Sequence, residues 1–518
     1  MAKSNYGYVQ INSDSTATTS EFNIFNPTAY SSFSAYSASN GTNFTENAGF
    51  SGLYFTEPGD YQVVCSLYTS ASANTSVTLK IDHVSFGTAQ GVLNSFTFNL
   101  NQSTDGYQPA ERTIQAMITG TLDEVNAIQV KFQDTNGNAV VMPGTSVFVT
   151  KMDAGYGSIE RASDTAEAST EYNPFDTTQA PGSTGATTVL TDGAIVSETS
   201  AGTGSLKTTT AGLGVFLYTG VQDRGGTGSR NVDSYFYVND SNADGVDFRN
   251  WKSVDEEPIE ASFFAARDFT ANDVLRMGNE SSLTFKNNAG SSISFYQPDS
   301  NSHFSYLVTK TASDAITSGS NFTLFDEDNY TTYTTASHKS GITFDSTNGK
   351  FTISRDGDYL IMLSARPDAG TGDTPGYLAL SLLKNAATIQ TVDNYFSLSN
   401  DPVERTSLFL VPSASSGDTF SVKAVANGDV TQGIKDGTAI LVLEMFETDP
   451  PPPVFNQSTP GNLISDDFTI NTYAQDVLSV QYDRQGSAQV PFVLGNRGPL
   501  TIRGRTLAQV IKKGDKKN

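Results

Sequence analysis

The sequence predicts an all-β protein: three similar sandwich units in tandem, followed by a distinct C-terminal tail. Three observations carry the prediction. The strand–turn–strand stretch Phe344–Leu363 (FDSTNGKFTISRDGDYLIML) has a weaker copy at Gly49–Tyr68 and a fainter one at Gly204–Gly220. The 518 residues are too many for one core and suit about three domains of roughly 100–200 residues each. Short apolar runs are separated by Ser, Thr, Asn, Gly and Asp, and long runs of Leu, Glu and Lys are absent, which favours strands and turns over helices.

The first unit opens its central strand at Gly59-Asp60-Tyr61, continues through PAERT (Pro109–Thr113) and closes on PGTSVFVTKM (Pro143–Met152). The second carries Gly212 at the turn, Pro258-Ile259-Glu260 next, and AGSSISFYQ from Ala289 at its end. The third repeats the first more closely, with Gly357-Asp358-Tyr359, PVERT (Pro402–Thr406) and DGTAILVLEM (Asp436–Met445). The turn glycines lie 153 and 145 residues apart, so the repeat is the size of a domain. Boundaries follow at 1–153, 154–300 and 301–448, with the second unit a diverged relative of the outer two. Ser163–Thr188, poor in apolar residues, reads as a linker or long loop. In YLIML and VFLY, apolar residues run consecutively, which implies an inner strand covered on both faces, the second by a neighbouring domain or subunit.

After Thr448 the run DPPPP (Asp449–Pro453) is a stiff, extended spacer that cannot continue a sheet ladder. It sets off residues 449–518 as a tail with short strands. From Ser487 onward the tail holds seven basic residues against one acidic, in a chain whose net charge is −24. Arg497, Arg503, Arg505, Lys512 and Lys513 are interleaved with Leu500, Ile502, Leu507 and Val510, a pattern that favours docking on an acidic partner over a solvated end. The overall acidity argues against general nucleic-acid binding.

Asn348-Gly349-Lys350-Phe351-Thr352, Gly357-Asp358-Tyr359, SLFLV, GDTFSVKAV and GTAILVLEMF together resemble the globular-head family of complement, within the tumour-necrosis-factor-like jelly-roll superfamily. The resemblance covers nearly all of the third unit and much of the first; in the second, Gly214 replaces the tyrosine of the Gly-x-Tyr turn. It implies jelly rolls that assemble as a parallel homotrimer, and binding in place of catalysis. Three such units in series would stack into a rod of three trimeric storeys.

Few residues point to chemistry. The three histidines, His83, His303 and His338, have no metal-ligand spacing, and no nucleophile elbow, phosphate loop or paired-Cys motif occurs. Acidic pairs such as Glu256-Glu257 arise freely in a chain with 55 carboxylates and read as surface charge. Asp240, Asn242 and Asp244 alternate before Gly245 as calcium ligands do, although Trp251 stands where such a loop wants Glu. Calcium is therefore the one cofactor candidate, against an ordinary Asn/Asp-rich turn. Cys65, the single cysteine, sits among apolar strand residues and reads as a buried thiol. Tyr61, Tyr359 and Phe351 read as core or interface packing, and Gly59, Gly212 and Gly357 as turn glycines, with positive φ expected at Gly357.

The N-terminal residues lack the apolar run of a signal peptide and no stretch is long enough to span a membrane, so a soluble protein made in a cytoplasm is expected. Repeated jelly rolls, one cysteine and a separate tail lead to the expectation of a bacteriophage virion protein. It would be a trimeric fibre or decoration on head or tail that binds capsid, portal or tail proteins and contacts a host surface glycan or protein. The rival expectations are a bacterial surface or secreted lectin-like adhesin and a polysaccharide-active enzyme.

Overall fold

The computed structural model describes residues 5–447, except for segments in the connections, the longest being 101–109, 164–171, 177–186, 310–320 and 397–404. Beyond them it describes four short strands within residues 468–502. The first sandwich comprises β1 (Tyr6–Ile11), β2 (Gly52–Phe55), β3 (Asp60–Ala71), β4 (Thr75–Ser85), β5 (Thr88–Leu100), β6 (Ala110–Ile118), β7 (Asn126–Asp134) and β8 (Ser146–Met152). The second comprises β9 (Tyr156–Arg161), β10 (Leu206–Thr208), β11 (Gly212–Arg224), β12 (Arg230–Val238), β13 (Phe248–Lys252), β14 (Ile259–Phe269), β15 (Val274–Glu280) and β16 (Ser292–Tyr296). The third comprises β17 (Phe304–Thr309), β18 (Lys350–Ile353), β19 (Gly357–Ala365), β20 (Gly376–Lys384), β21 (Ala387–Phe396), β22 (Arg405–Ala414), β23 (Thr419–Asn427) and β24 (Ala439–Glu447). Shorter strands extend the sheet edges, and no α-helix occurs among the described residues.

All three share one topology. Within each unit the first, eighth, third and sixth strands form one antiparallel sheet, and the second, seventh, fourth and fifth form the other. Two four-stranded sheets in this order are a jelly roll. The second unit obeys it although its sequence match was faint. No described strand pair crosses residues 153/154 or 300/301. The chain divides into two compact units, Met1–Thr448 and Asp449–Asn518. In the latter, Phe468–Ile470 pairs with Leu500–Ile502, and Val477–Val480 with Val490–Val493.

Period-two alternation sorts each third strand between two environments. In β3, Tyr61, Val63, Cys65 and Leu67 fill the first sandwich's own core, while Gln62, Val64, Ser66 and Tyr68 face away from it and are buried as well. The second face is covered by the other two sandwiches. Val64 joins a cluster with Phe216 and Phe264 of the second sandwich and with Leu360 and Met362 of the third, and Tyr68 packs into the third sandwich's core. This accounts for the consecutive apolar residues in YLIML and VFLY. The rod of stacked storeys is corrected by the same contacts: the three sandwiches of one chain close on one another around a shared seam. Cys65 is buried, and burial pushes its thiol pKa far up.

Three local expectations change. Gly357 does not take positive φ; it is extended and opens β19 at a bulge where Asp358 drops out of the pairing with β22 while it stays opposite Phe446 in β24. The glycine this motif requires is Gly349, at φ 57, where a Cβ would lie 2.5 Å from the Leu324 carbonyl. In the second sandwich a Cβ on Gly214 would meet Phe295 at 2.3 Å and Phe269 at 2.7 Å, so this edge-to-face pair occupies the volume of the missing tyrosine. Part of Ser163–Thr188 is core: Phe175 is fully buried, its N–H held by the Asn173 side chain at 3.0 Å. Phe25 and Phe325 stand 150 residues to either side and are also fully buried.

Candidate functional site

The described residues converge at the seam, and strand order explains why. Among the described residues the sixth strand of each jelly roll (β6, β14, β22) pairs only with the third, so one backbone edge of each inner sheet needs partners. The partners come from the neighbouring sandwiches. Thr113, Ser262 and Thr406 hold the same register position, opposite Ser66, Thr219 and Ser364. They meet in a ring: Ser262 Oγ donates to Thr113 Oγ1 at 3.1 Å, Thr113 Oγ1 to the Thr406 carbonyl at 3.1 Å, and the Thr406 N–H to Ser262 Oγ at 3.0 Å. Ser364 Oγ donates to the Ser262 carbonyl at 3.4 Å. Small hydroxylated residues let three edges approach, and the hydroxyls of Thr113, Ser262 and Ser364 satisfy backbone groups of Thr406 and Ser262.

The next layer is satisfied from the first strands, YGYVQ, YGSIE and FSYLV. Tyr8 donates to the Leu408 carbonyl at 3.2 Å, and Tyr306 to that of Phe264 at 3.5 Å. The second sandwich has Ser158 at this position, too short to reach. There the first sandwich supplies Gln115, whose amide donates to the carbonyls of Leu217 and Ser292 at 3.1 Å each and accepts from Ser294 at 2.5 Å. Gln62 adds a bond to Ser294 at 2.6 Å, and Asn94 donates to the carbonyls of Gln115 and Gly290 at 2.7 and 3.2 Å.

A third set of contacts closes the cycle. Tyr6 of the first sandwich donates to Asp358 of the third, and Tyr156 of the second donates to Asp60 of the first. The corresponding residues of the remaining seam are Phe304 and Leu213, both buried in the shared cluster. Phenol and carboxylate are lost together there. Burial, with the Asp358 carboxylate adding to it, pushes the Tyr6 phenol pKa far above its ordinary value, so Tyr6 is a donor across the working pH range.

Histidine and acid in the third sandwich have structural partners. Glu444, at the end of β24, accepts from the His303 N–H at 2.9 Å and lies 3.8 Å from Arg355 Nε, whose guanidinium also reaches the His303 ring. Glu160, in β9, carries a carboxyl pushed up to about 8 by burial.

Tyr61, Tyr359 and Phe351 are fully buried, each inside its own sandwich, and Tyr359 donates to the Arg355 carbonyl at 3.0 Å. Gly59 precedes β3, with Lys151 against the position of its absent Cβ; Gly212 and Gly357 open β11 and β19. The calcium candidates are not brought together by the described residues. Asp240 is ion-paired with Arg276 at 2.8 Å, Asn242 pairs its backbone with Tyr237, and Asp244 lies outside the described residues. So do Glu256, Glu257, Arg497, Arg503, Arg505, Lys512 and Lys513. The seam residues were missed in the sequence, although the openings YGYVQ, YGSIE and FSYLV recur at spacings of 150 and 148.

No protein-family model matches the chain, and no curated protein matches it. Among solved structures it is similar to Eiger TNF from S. frugiperda, at 12% identity and TM-score 0.20 over 29% of this chain and 95% of that one. It is similar to PNGF-II at 9% identity and TM-score 0.23, over 73% and 99%. A third likeness is to the N-terminal CBM22-1-CBM22-2 tandem domain of Xyn10C from Paenibacillus barcinonensis, at 13% identity and TM-score 0.15, over 55% and 93%. The jelly-roll assignment rests on strand order and register, not on likenesses of this size.

Proposed function

We propose that the chain is a bacteriophage virion structural protein: a fibre-like or decorating head carried on the particle, attached through residues 449–518 and free to contact the host surface. One observation supports it above the rest. Three jelly rolls of one chain meet along a buried seam whose polar side chains bond to neighbouring strands, which is what a load-resisting head needs. The seam leaves the outer sheets of the sandwiches for binding. In this reading a single chain fills the three positions that three copies fill in a homotrimer.

Two measurements test it. Light scattering at micromolar concentration is expected to return the 55.3 kDa of one chain; a stable mass three times larger would overturn the self-contained head. Mass spectrometry of purified phage particles is expected to find the chain as a stoichiometric component, and its loss on deleting residues 449–518. Absence of the full-length chain from washed particles would overturn the virion role.

A further inference from the structure

We propose that the outer sheet of the second sandwich carries a binding site for a neutral glycan, built from Tyr235, Tyr237, Arg276 and Asp240. The inference is independent of which particle or surface bears the chain. Strand β12 alternates: Ser234 and Phe236 are fully buried, while Tyr235 and Tyr237 point outward and are partly exposed. Their rings lie 5.9 Å apart at 45°, a shallow angled platform. Across the ladder Tyr235 faces Gly278, which has no side chain, and Tyr237 faces Arg276, whose guanidinium carbon sits 4.1 Å above its ring centre.

The rim is held in place by a two-residue hairpin turn. Asn239 and Asp240 take φ 51 and 61, the left-handed pair that such a turn demands. The Asn239 side chain donates to Asp273 at 2.7 Å and accepts from the Val274 N–H at 2.9 Å. Asp240 is thereby fixed beside the platform with its side chain 81% exposed, one oxygen on Arg276 Nε at 2.8 Å and the other toward solvent.

These groups match a pyranose. Its C–H face, weakly positive, packs on the negative face of a tyrosine ring, and its vicinal hydroxyls both donate and accept. The Asp240 carboxylate accepts, and the Arg276 guanidinium donates. Because the chain carries −24, an uncharged glycan suits the site better than an acidic one. Stacking is not required for the sheet itself. The matching strand of the first sandwich presents Thr78 and Lys80 outward, and that of the third presents Ser381, joined to Thr391 at 2.7 Å.

The test uses the full chain, with cellohexaose, maltohexaose, mannohexaose and chitohexaose at millimolar concentration as probes and saturation-transfer NMR as readout. Transfer to at least one probe is expected, with affinity falling about tenfold or more in Tyr235→Ala and in Asp240→Gly. Asp240→Gly keeps the left-handed turn, so its melting temperature is expected to match wild type. The proposal is overturned by no transfer to any of the four, by transfer that survives both substitutions, or by preference for a hyaluronan hexasaccharide. A chain that binds a probe but is absent from washed particles would overturn the virion role and leave the glycan site standing.

Discussion

If Phe304 and Leu213 are an alternative solution of the contact made by Tyr6 and Asp358, the two solutions should be interchangeable as pairs and not singly. In Tyr6→Phe, Asp358 loses one donor but keeps the Ser413 N–H at 2.7 Å. A hydrogen bond to a carboxylate contributes roughly 1.5–3 kcal/mol, and the retained donor places this loss at about 1–2 kcal/mol. In Asp358→Leu, the Tyr6 hydroxyl is stranded on a residue 2% exposed, and Ser413 loses its acceptor as well. Orphaning a buried polar group costs about 1–3 kcal/mol, so about 2–3 kcal/mol is expected. The double variant reproduces the Phe304/Leu213 pair, removes both polar groups together, and should cost about 1–2 kcal/mol in total. The coupling energy is then about 2 kcal/mol, well above the roughly 0.3–0.5 kcal/mol within which unrelated sites add. Urea unfolding of the four proteins, followed by circular dichroism with a common m-value, measures it. Single effects that simply sum would refute the idea that the three seams are variants of one contact.

Two further outcomes follow from the same seam. Ser262→Ala removes the acceptor of the Thr406 N–H and the donor to Thr113, leaving a buried backbone donor unpaired; a loss of about 1–3 kcal/mol in urea unfolding is expected, with Ser262→Thr recovering part of it. The Glu160 carboxyl titrates at about 8 when folded against 4.5 as a free side chain, so between these values the folded state holds more protons than the unfolded one. Stability therefore falls as pH rises from about 4.5 to about 8 and is level above, by roughly 1–3 kcal/mol once partial exposure is discounted. Glu160→Gln, which copies Gln10 at the same position of the first sandwich, should remove that slope; melting curves at pH 5 and 8 that differ equally in both proteins would show that Glu160 is not its source.

The β class, the three units and the separate tail were legible because they are written in local patterns. Period-two apolar runs and a Gly-Asp-Tyr turn survive even where neighbours differ, and Phe344–Leu363 forms the strands β18 and β19 where it was expected to. What the sequence hid depends on partners far along the chain. Nothing local marks Gly214 as a tyrosine site refilled by Phe269 and Phe295, or Asp240 as the ion-pair partner of Arg276. The same holds for Phe175. Set in a stretch of Ser, Thr and Ala, it looked like linker, and only its spacing of 150 residues from Phe25 and Phe325 gives it away.

The side-by-side arrangement has a consequence for how the units diverged. In a homotrimer every seam is identical, so a substitution appears three times and must suit both of its neighbours. In one chain each seam can change alone, provided both of its sides change. That is the pattern seen. Ser158 stands where the other units have Tyr8 and Tyr306, and Gln115 of the adjoining sandwich reaches into the space to bond Leu217 and Ser292. Phe304 stands where the others have Tyr6 and Tyr156, and across from it Leu213 replaces Asp60 and Asp358. Part of the second unit's divergence, at Ser158 and Leu213, therefore lies where a neighbouring sandwich compensates, while at Gly214 the compensation comes from its own Phe269 and Phe295. Its jelly-roll strand order is the same as that of the other two units despite these changes.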